Sequence, residues 1–415
     1  MDIVIDDLRH PILNEAQIAA RAWGDANIIV FDPEAVLAQA RDKTGLSDFG
    51  PDDFRVRLKM LADEWNADTG ISNIHRHTLL SYLNRYAVNR LLIQDFQKKH
   101  PEIHDEVIEK PIIVAGLPRS GTTHMVNILA ADARLRSLPL WESYEPLPMP
   151  GEPMLPDGTD PRYQRCAEAW EVLRTSVPLI AAMHPMEPDH IHEELELMGP
   201  DFASYNFEWI SVIPKWRDYY YATDQTPHYE YMKTVLKILQ WIRGPKRWVL
   251  KCPQHLEQLP VLKTVFPDAT VVITHRDPVA VIQSAVTMTG YNQRFYRNKV
   301  EPEALLEYWT DRVEHLLRAC VADRHIWPEA QSFDSYFHEF MADDMGQIGK
   351  IEAKAGLPFT PAVKAQIAQF LADHPRGKEG RVLYNLKRDF GADPEELRKR
   401  FRFYFDAFPV KEEVK

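Results

Sequence analysis

The sequence predicts an α/β chain: a three-layer fold with a central parallel sheet and an added N-terminal helical segment. Two observations carry that expectation. Short, largely apolar, β-rich runs, PIIVAGL at 111–117, RWVLKC at 247–252 and ATVVIT at 269–274, each stop at a glycine, a proline or a charged residue. Runs of this kind are strands covered on both faces, as in a parallel sheet. Between and beyond them, apolar residues recur at helical spacing, so strands and helices alternate.

Taken in order, residues from about 32 to 100 carry helical periodicity, as in FRVRLKMLADEW and HTLLSYLNRYAVNRLLIQDFQKKH. They form the N-terminal helical segment, 1–105, ahead of the main domain, 106–415. Prolines from 101 to 111 end the helix and lead into PIIVAGL. RSGTTHMVNILAAD then opens a second helix with Met125, Ile128 and Leu129 on its apolar side. Prolines and glycines accumulate over 138–160, predicting a long loop that covers a site. Helices around 161–173 and 228–242 flank FASYNFEWISVIPKWRDYYYA, where Tyr205, Phe207, Trp209 and Trp216 are candidates to line a pocket, or else core. RWVLKC, the helical HLEQLPVLKTVF and ATVVIT read as a βαβ unit, followed by helices over 302–323 and 343–355 and the loop HPRGKEGR.

Composition narrows the function. With 49 basic and 61 acidic residues the chain carries a formal charge of −12, which argues against a broad nucleic-acid-binding surface. No apolar run approaches the roughly 18 residues of a membrane span. The opening MDIVIDDLRHPILNEAQ has no secretory-signal pattern, so a cytoplasmic location is expected. Cys166, Cys252 and Cys320 are far apart and mark neither a disulfide framework nor a zinc knuckle. HIHEELE lacks the spacing that puts two imidazoles on one helix face, so no metal site is expected.

The chemistry concentrates in GLPRSGTT, 116–123, between a predicted buried strand and a predicted helix. Backbone N–H groups and the helix dipole converge on an anion in such a place. The loop is P-loop-like in spacing, but Thr122 stands where a Walker lysine would reach a β/γ-phosphate, which weakens an ATPase reading. The cation is instead Arg119, able to fork onto phosphate or sulfonate oxygens while Ser120, Thr122 and Thr123 around Gly121 donate hydroxyl bonds. A capped Gly/Pro turn is the plainer alternative.

PIIVAGLPRSGTT resembles the 5′-phosphosulfate loop of sulfotransferases that use 3′-phosphoadenosine-5′-phosphosulfate (PAPS), in the arginine-bearing RSGTT version of the bacterial branch. The resemblance implies a P-loop-like fold, PAPS as co-substrate with no metal required, and a small-molecule, lipid or glycan hydroxyl as acceptor. It also assigns roles. Arg276 and Ser284, at the end of ATVVIT and about two turns into the next helix, are similar to the family's 3′-phosphate pair. Lys251 resembles the lysine that stabilises the leaving phosphate. The resemblance offers His255 and Glu142 as the base, with Pro253 standing where the cytosolic branch has its histidine; Glu193 and Glu194 are further choices. His255 would share a helix face with Lys251 were that segment helical. Arg376, Gly377 and Lys378 resemble, in altered order, the RKGxxG element over the nucleotide. The alternatives are a P-loop-type kinase or nucleotide hydrolase, and a non-catalytic nucleotide-binding protein of the same fold.

Overall fold

The computed structural model describes residues 2–375 and 378–414. Seven strands are present among them: β1 (Asp2–Val4), β2 (Ile112–Gly116), β3 (Leu135–Arg136), β4 (Arg247–Cys252), β5 (Thr270–His275), β6 (Ser332–Tyr336) and β7 (Arg381–Leu383). Five form a parallel sheet in the order β3-β4-β2-β5-β6. Along β2, Ile113 and Ala115 pack into one apolar cluster with Trp248, Leu250, Val271 and Ile273. Ile112 and Val114 pack into the other with Val249 and Val272. Residues alternate between two covered faces because successive strand side chains point in opposite directions, so helices lie on both sides and the fold has three layers.

β4 and β5 are parallel, as the βαβ reading requires, but they are not neighbours. Each pairs with β2, Val114 lying opposite both Lys251 and Val272. The short helix Leu259–Val265 carries the chain across the central strand. Hydrophobic pattern marks a strand as buried without saying which strand lies beside it, and a crossover is free to skip one. Because every strand of this sheet runs the same way, the ends of β2, β4 and β5 open on one edge, where open α/β sheets bind ligands.

The N-terminal segment forms α1 (Glu15–Ala26), α2 (Pro33–Thr44), α3 (Phe54–Ala67) and α4 (Asn73–Lys99). Asn14 and Gln17 close a capping box on α1, Asp32 caps α2 ahead of Pro33, and Ser72 caps α4. One apolar cluster runs through Phe54, Trp65, Tyr86, Trp216, Trp309 and Tyr404, joining these helices to the rest of the chain. Buried charge fixes their seat: Arg57 of α3 and Arg90 of α4 both donate to Asp201 Oδ1 at 2.9 Å. β1 pairs in parallel with β7, which ties residues 2–4 to residues 381–383.

The helix after β2 is α5 (Thr122–Ala130). The predicted helices appear as Pro161–Ser176, Thr226–Arg243, Pro302–Asp323 and Asp344–Lys354. The predicted loop over 138–160 begins with a short helix, Leu140–Tyr144.

Two stability predictions arise from packing. A Cβ on Gly116 would lie 1.8 Å from Thr274 Oγ1 on the neighbouring strand. Gly116→Ala is therefore expected to lower unfolding free energy by about 1–3 kcal/mol, read from a denaturant midpoint at unchanged slope. Arg134 bridges Asp132 at 2.6 Å and Glu352 at 3.0 Å behind α5. Burial, then the neighbouring Asp132 charge, pushes the Glu352 carboxyl up to about 7 from 4.5. A raised folded value stabilises below about pH 4.5 and is lost as pH rises through 7. The thermal midpoint should thus fall more steeply over that window in the wild type than in Glu352→Gln.

Candidate active site

β2 ends at Gly116 and the chain turns sharply to reach Thr122, the first residue of α5. Two residues in the turn take left-handed backbone, Arg119 at φ 64° and Gly121 at φ 85°. For a side-chain-bearing residue this costs on the order of 1–2 kcal/mol. At Arg119 it is held by Arg276, whose guanidinium donates to the Arg119 carbonyl at 2.5 Å. The Ser120 hydroxyl donates to the Leu117 carbonyl at 2.6 Å and lies 2.7 Å from Thr274 Oγ1. The sequence predicts that Ser120 donates to a phosphate; in the structure its buried hydroxyl is committed to shaping the loop. The first-turn N–H groups of α5 have no intrahelical acceptors and remain the loop's donors to an anion.

Residues far apart in sequence converge here. Arg119 Nε donates to Ser284 Oγ at 3.1 Å and Arg119 Nη1 to the Met183 carbonyl at 2.6 Å. Ser284 lies in helix Pro278–Tyr296 and donates to the Tyr384 hydroxyl at 3.0 Å. Lys251, at the end of β4 and 2% exposed, donates to Thr123 Oγ1 at 3.3 Å and forms a close ion pair with Glu193. The adjacent Glu194 accepts the Lys251 backbone N–H with both carboxylate oxygens, at 2.7 and 2.9 Å. Arg119, Ser120, Gly121, Thr122, Thr123, Lys251, Arg276 and Ser284 thus form one cluster at the carboxyl edge of the sheet.

The two leading base candidates lie elsewhere. Lys251 is still in strand conformation, and helical turning starts only at the 3₁₀ segment Pro253–Glu257, so Lys251 and His255 share no helix face. His255 is fully buried, with Nδ1 2.9 Å from the Tyr229 hydroxyl and Nε2 turned to Glu194 at 3.4 Å. Glu142 sits between Arg136 at 3.4 Å and Arg243 at 2.5 Å. The strand that runs on through Cys252, with turning begun only at Pro253, and the arginines around Glu142 are the physical reasons. Lys378 is exposed; Arg376 and Gly377 lie outside the described residues.

A mostly apolar cavity of about 210 Å³ adjoins the loop. Pro118, Arg119, Thr122, Thr123 and Glu193 belong to its wall on the side of the loop. His75, Thr78 and Tyr82 of α4, with Trp209, Tyr296 and Trp309, contribute to the rest. Of the aromatic candidates only Trp209 lines it; Tyr205, Phe207 and Trp216 are core. Two histidines that sequence reading missed, His184 and His192, also line it. Burial, then the positive charges of Lys251 and Arg119, pushes His184 down to about 3. Burial, with His184 and Lys251 nearby, holds His192 well below its ordinary value. In both, the surroundings favour the neutral imidazole. No signal separates them beforehand, since a histidine in a loop discloses neither burial nor its neighbours.

Three carboxylates border the cavity. Glu196 is bound by Arg85 and the Tyr86 hydroxyl, each at 2.8 Å. Glu208 is bound by Arg312 and the Tyr308 hydroxyl, also at 2.8 Å. Glu193 alone of the three touches the cationic cluster. No group of residues suited to hold a metal ion is present among the described residues, and no helix among them is long and apolar enough to cross a membrane.

An arginine-bearing, lysine-free anion loop at the edge of a parallel sheet, joined by a strand-end lysine and a second arginine–serine pair, defines a P-loop-like transferase. Residues 111–361 match the sulfotransferase family, and the chain belongs to it. It is similar to the omega-hydroxy-beta-dihydromenaquinone-9 sulfotransferase Stf3 of Mycobacterium bovis and of Mycobacterium tuberculosis, 21% identical over 276 residues that cover 65% of this chain and 68% of each relative. Its fold is similar to that of sulfotransferase STF9 from Mycobacterium avium, with TM-score 0.82 and 27% identity over 93% of this chain and 99% of that one. Sulfotransferase STF1 from Mycobacterium tuberculosis H37Rv gives 0.78 and 27% over 90% and 98%.

Proposed function

We propose that the chain transfers a sulfonate group from PAPS to the hydroxyl of an apolar small-molecule or lipid acceptor. The observation that carries this reading is the convergence of Arg119, Lys251, Arg276 and Ser284 on the loop, beside a mostly apolar cavity. The residues suit the donor. The start of α5 and Arg119 offer N–H donors to the phosphosulfate, while Arg276 and Ser284 offer a fork and a hydroxyl to the 3′-phosphate that distinguishes PAPS from ATP.

In this reading Glu193 takes the proton of the acceptor hydroxyl, its oxygen attacks sulfur, and the bond from sulfur to the 5′-phosphate oxygen breaks in line. Lys251, freed from Glu193 as that carboxylate is protonated, turns to the oxygen that gains charge. Fixed positive charge and positioning carry most of the acceleration, as in phosphoryl transfer. The mostly apolar walls disfavour water on the attacking side. An apolar hydroxylated acceptor, such as the omega-hydroxy-beta-dihydromenaquinone-9 in the name of the relative Stf3, suits such walls.

Two measurements test the reading. Calorimetry should show micromolar or tighter binding of 3′,5′-diphosphoadenosine without magnesium and no comparable binding of ATP with magnesium; the reverse preference would mark a kinase or hydrolase. Radiolabelled PAPS with a panel of isoprenoid alcohols, hydroxylated quinones, sterols and phenols should label an apolar alcohol. Donor binding with no transfer across the panel would mark a non-catalytic nucleotide-binding protein.

A further inference from the structure

One contact at the site has no place in that scheme. The edge of the Arg276 guanidinium that carries Nε and Nη2 is occupied by the Glu413 carboxylate: Nε donates at 2.9 and 3.2 Å and Nη2 at 2.7 Å. The geometry is the two-pronged fork by which arginine grips a phosphate or carboxylate. The rest of the guanidinium is also engaged. Its plane lies over the Phe337 ring, 3.8 Å from the centroid, and Nη1 is bound to the Arg119 carbonyl. An incoming phosphate needs that same edge to be gripped by two parallel bonds.

Glu413 is held there by its backbone as well. Its N–H donates to Asp277 Oδ2 at 2.8 Å and the Val414 N–H to the same oxygen at 3.4 Å. Arg398 donates to the Val414 carbonyl. Asp277 is fully buried and caps helix Pro278–Tyr296 through the Val279 N–H at 2.9 Å. The segment is thus anchored independently of Arg276, and its carboxylate is presented to Arg276 from a fixed seat. Glu413 itself is 28% exposed, so its side chain has room to swing into solvent while the backbone stays.

We infer that Glu413 is an internal stand-in for the donor's 3′-phosphate, a residue that competes with the nucleotide for Arg276 and so sets donor affinity. This rests on the reading of Arg276 as the 3′-phosphate arginine. The pair keeps the guanidinium oriented before the donor arrives, and the donor displaces one carboxylate by a phosphate of higher charge. The same carboxylate, returning, helps expel the 3′,5′-diphosphate product.

The test is calorimetric titration of wild type, Glu413→Gln and the control Glu412→Gln with 3′,5′-diphosphoadenosine and with adenosine 5′-monophosphate, which lacks the 3′-phosphate. Wild type should prefer the diphosphate; if it binds the two alike, the assignment of Arg276 falls first. Given that preference, Glu413→Gln should tighten diphosphate binding by roughly three- to tenfold, leave the monophosphate within twofold, and speed diphosphate release no longer. Glu412→Gln should change neither ligand. Weaker or unchanged diphosphate binding in Glu413→Gln would make Glu413 a support for Arg276 and overturn the inference. Equal tightening for both nucleotides would overturn it too, because the carboxylate would then be opposing the nucleotide at large.

Discussion

Lys251→Met is expected to lower kcat by about 10²–10³-fold while weakening 3′,5′-diphosphoadenosine binding by less than about tenfold. Lys251 is nearly buried, close to the loop through Thr123 and balanced by Glu193. A cation so enclosed acts in low dielectric, and its attraction for an oxygen grows as that oxygen gains charge. In the proposed reading the diphosphate product is also held by loop N–H groups and by Arg119 and Arg276, so binding is shared while charge development at the bridging oxygen is not. Methionine has similar reach and no charge. Initial rates over a range of donor concentrations, with calorimetry on the same variant, separate the two effects; matched losses in kcat and affinity would make Lys251 a binding residue only.

The second large effect is expected at Glu193. Glu193→Gln should reduce kcat by about 10²–10⁴-fold with donor affinity within about threefold of wild type. Glutamine keeps the shape and one hydrogen bond to Lys251, which separates loss of a proton acceptor from loss of packing. A variant with near wild-type turnover would move the base to one of the neutral imidazoles, and His192→Asn would then be the next substitution to assay. A double-mutant cycle of Glu193→Gln with Lys251→Met should show strong non-additivity, since the two side chains are in direct contact.

Much of the architecture is legible in the sequence, and the reason is chemical density. β2, β4 and β5 are buried on both faces and each carries an unbroken apolar stretch, IIVAG, WVL and VVI, so the runs stand out from their surroundings. The strands that escape notice are short or mixed. β3 has two residues and β1 and β7 three each, too few for a pattern, and β6 reads SFDSY because it lies at the sheet edge. α1 is missed for a related reason: EAQIAARAWGDA leaves Ile18 and Trp23 exposed and buries only Gln17 and Gly24.

The candidate anion site was legible in the same way. Arg119 and Thr122 within a strand-loop-helix transition state their chemistry locally, because a phosphate cradle is built from consecutive backbone. Arg276 and Ser284 follow from one short strand-helix junction. The proposed base was not legible. Whether His255, Glu142 or Glu193 meets Lys251 depends on where the chain stops being a strand, on which arginines fold back onto a carboxylate, and on how the segment around 190 docks against β4.

The sequence by itself therefore determined the class of fold and marked out the candidate anion loop and the cations proposed to serve it, since each is encoded by near neighbours whose burial and backbone needs leave a local trace. The tertiary structure alone decided that Ser120 shapes the loop, that Glu193 and not His255 or Glu142 faces the cationic cluster, and that Glu413 occupies Arg276. Those outcomes turn on contacts between residues far apart in the chain, whose geometry is fixed only when the layers pack.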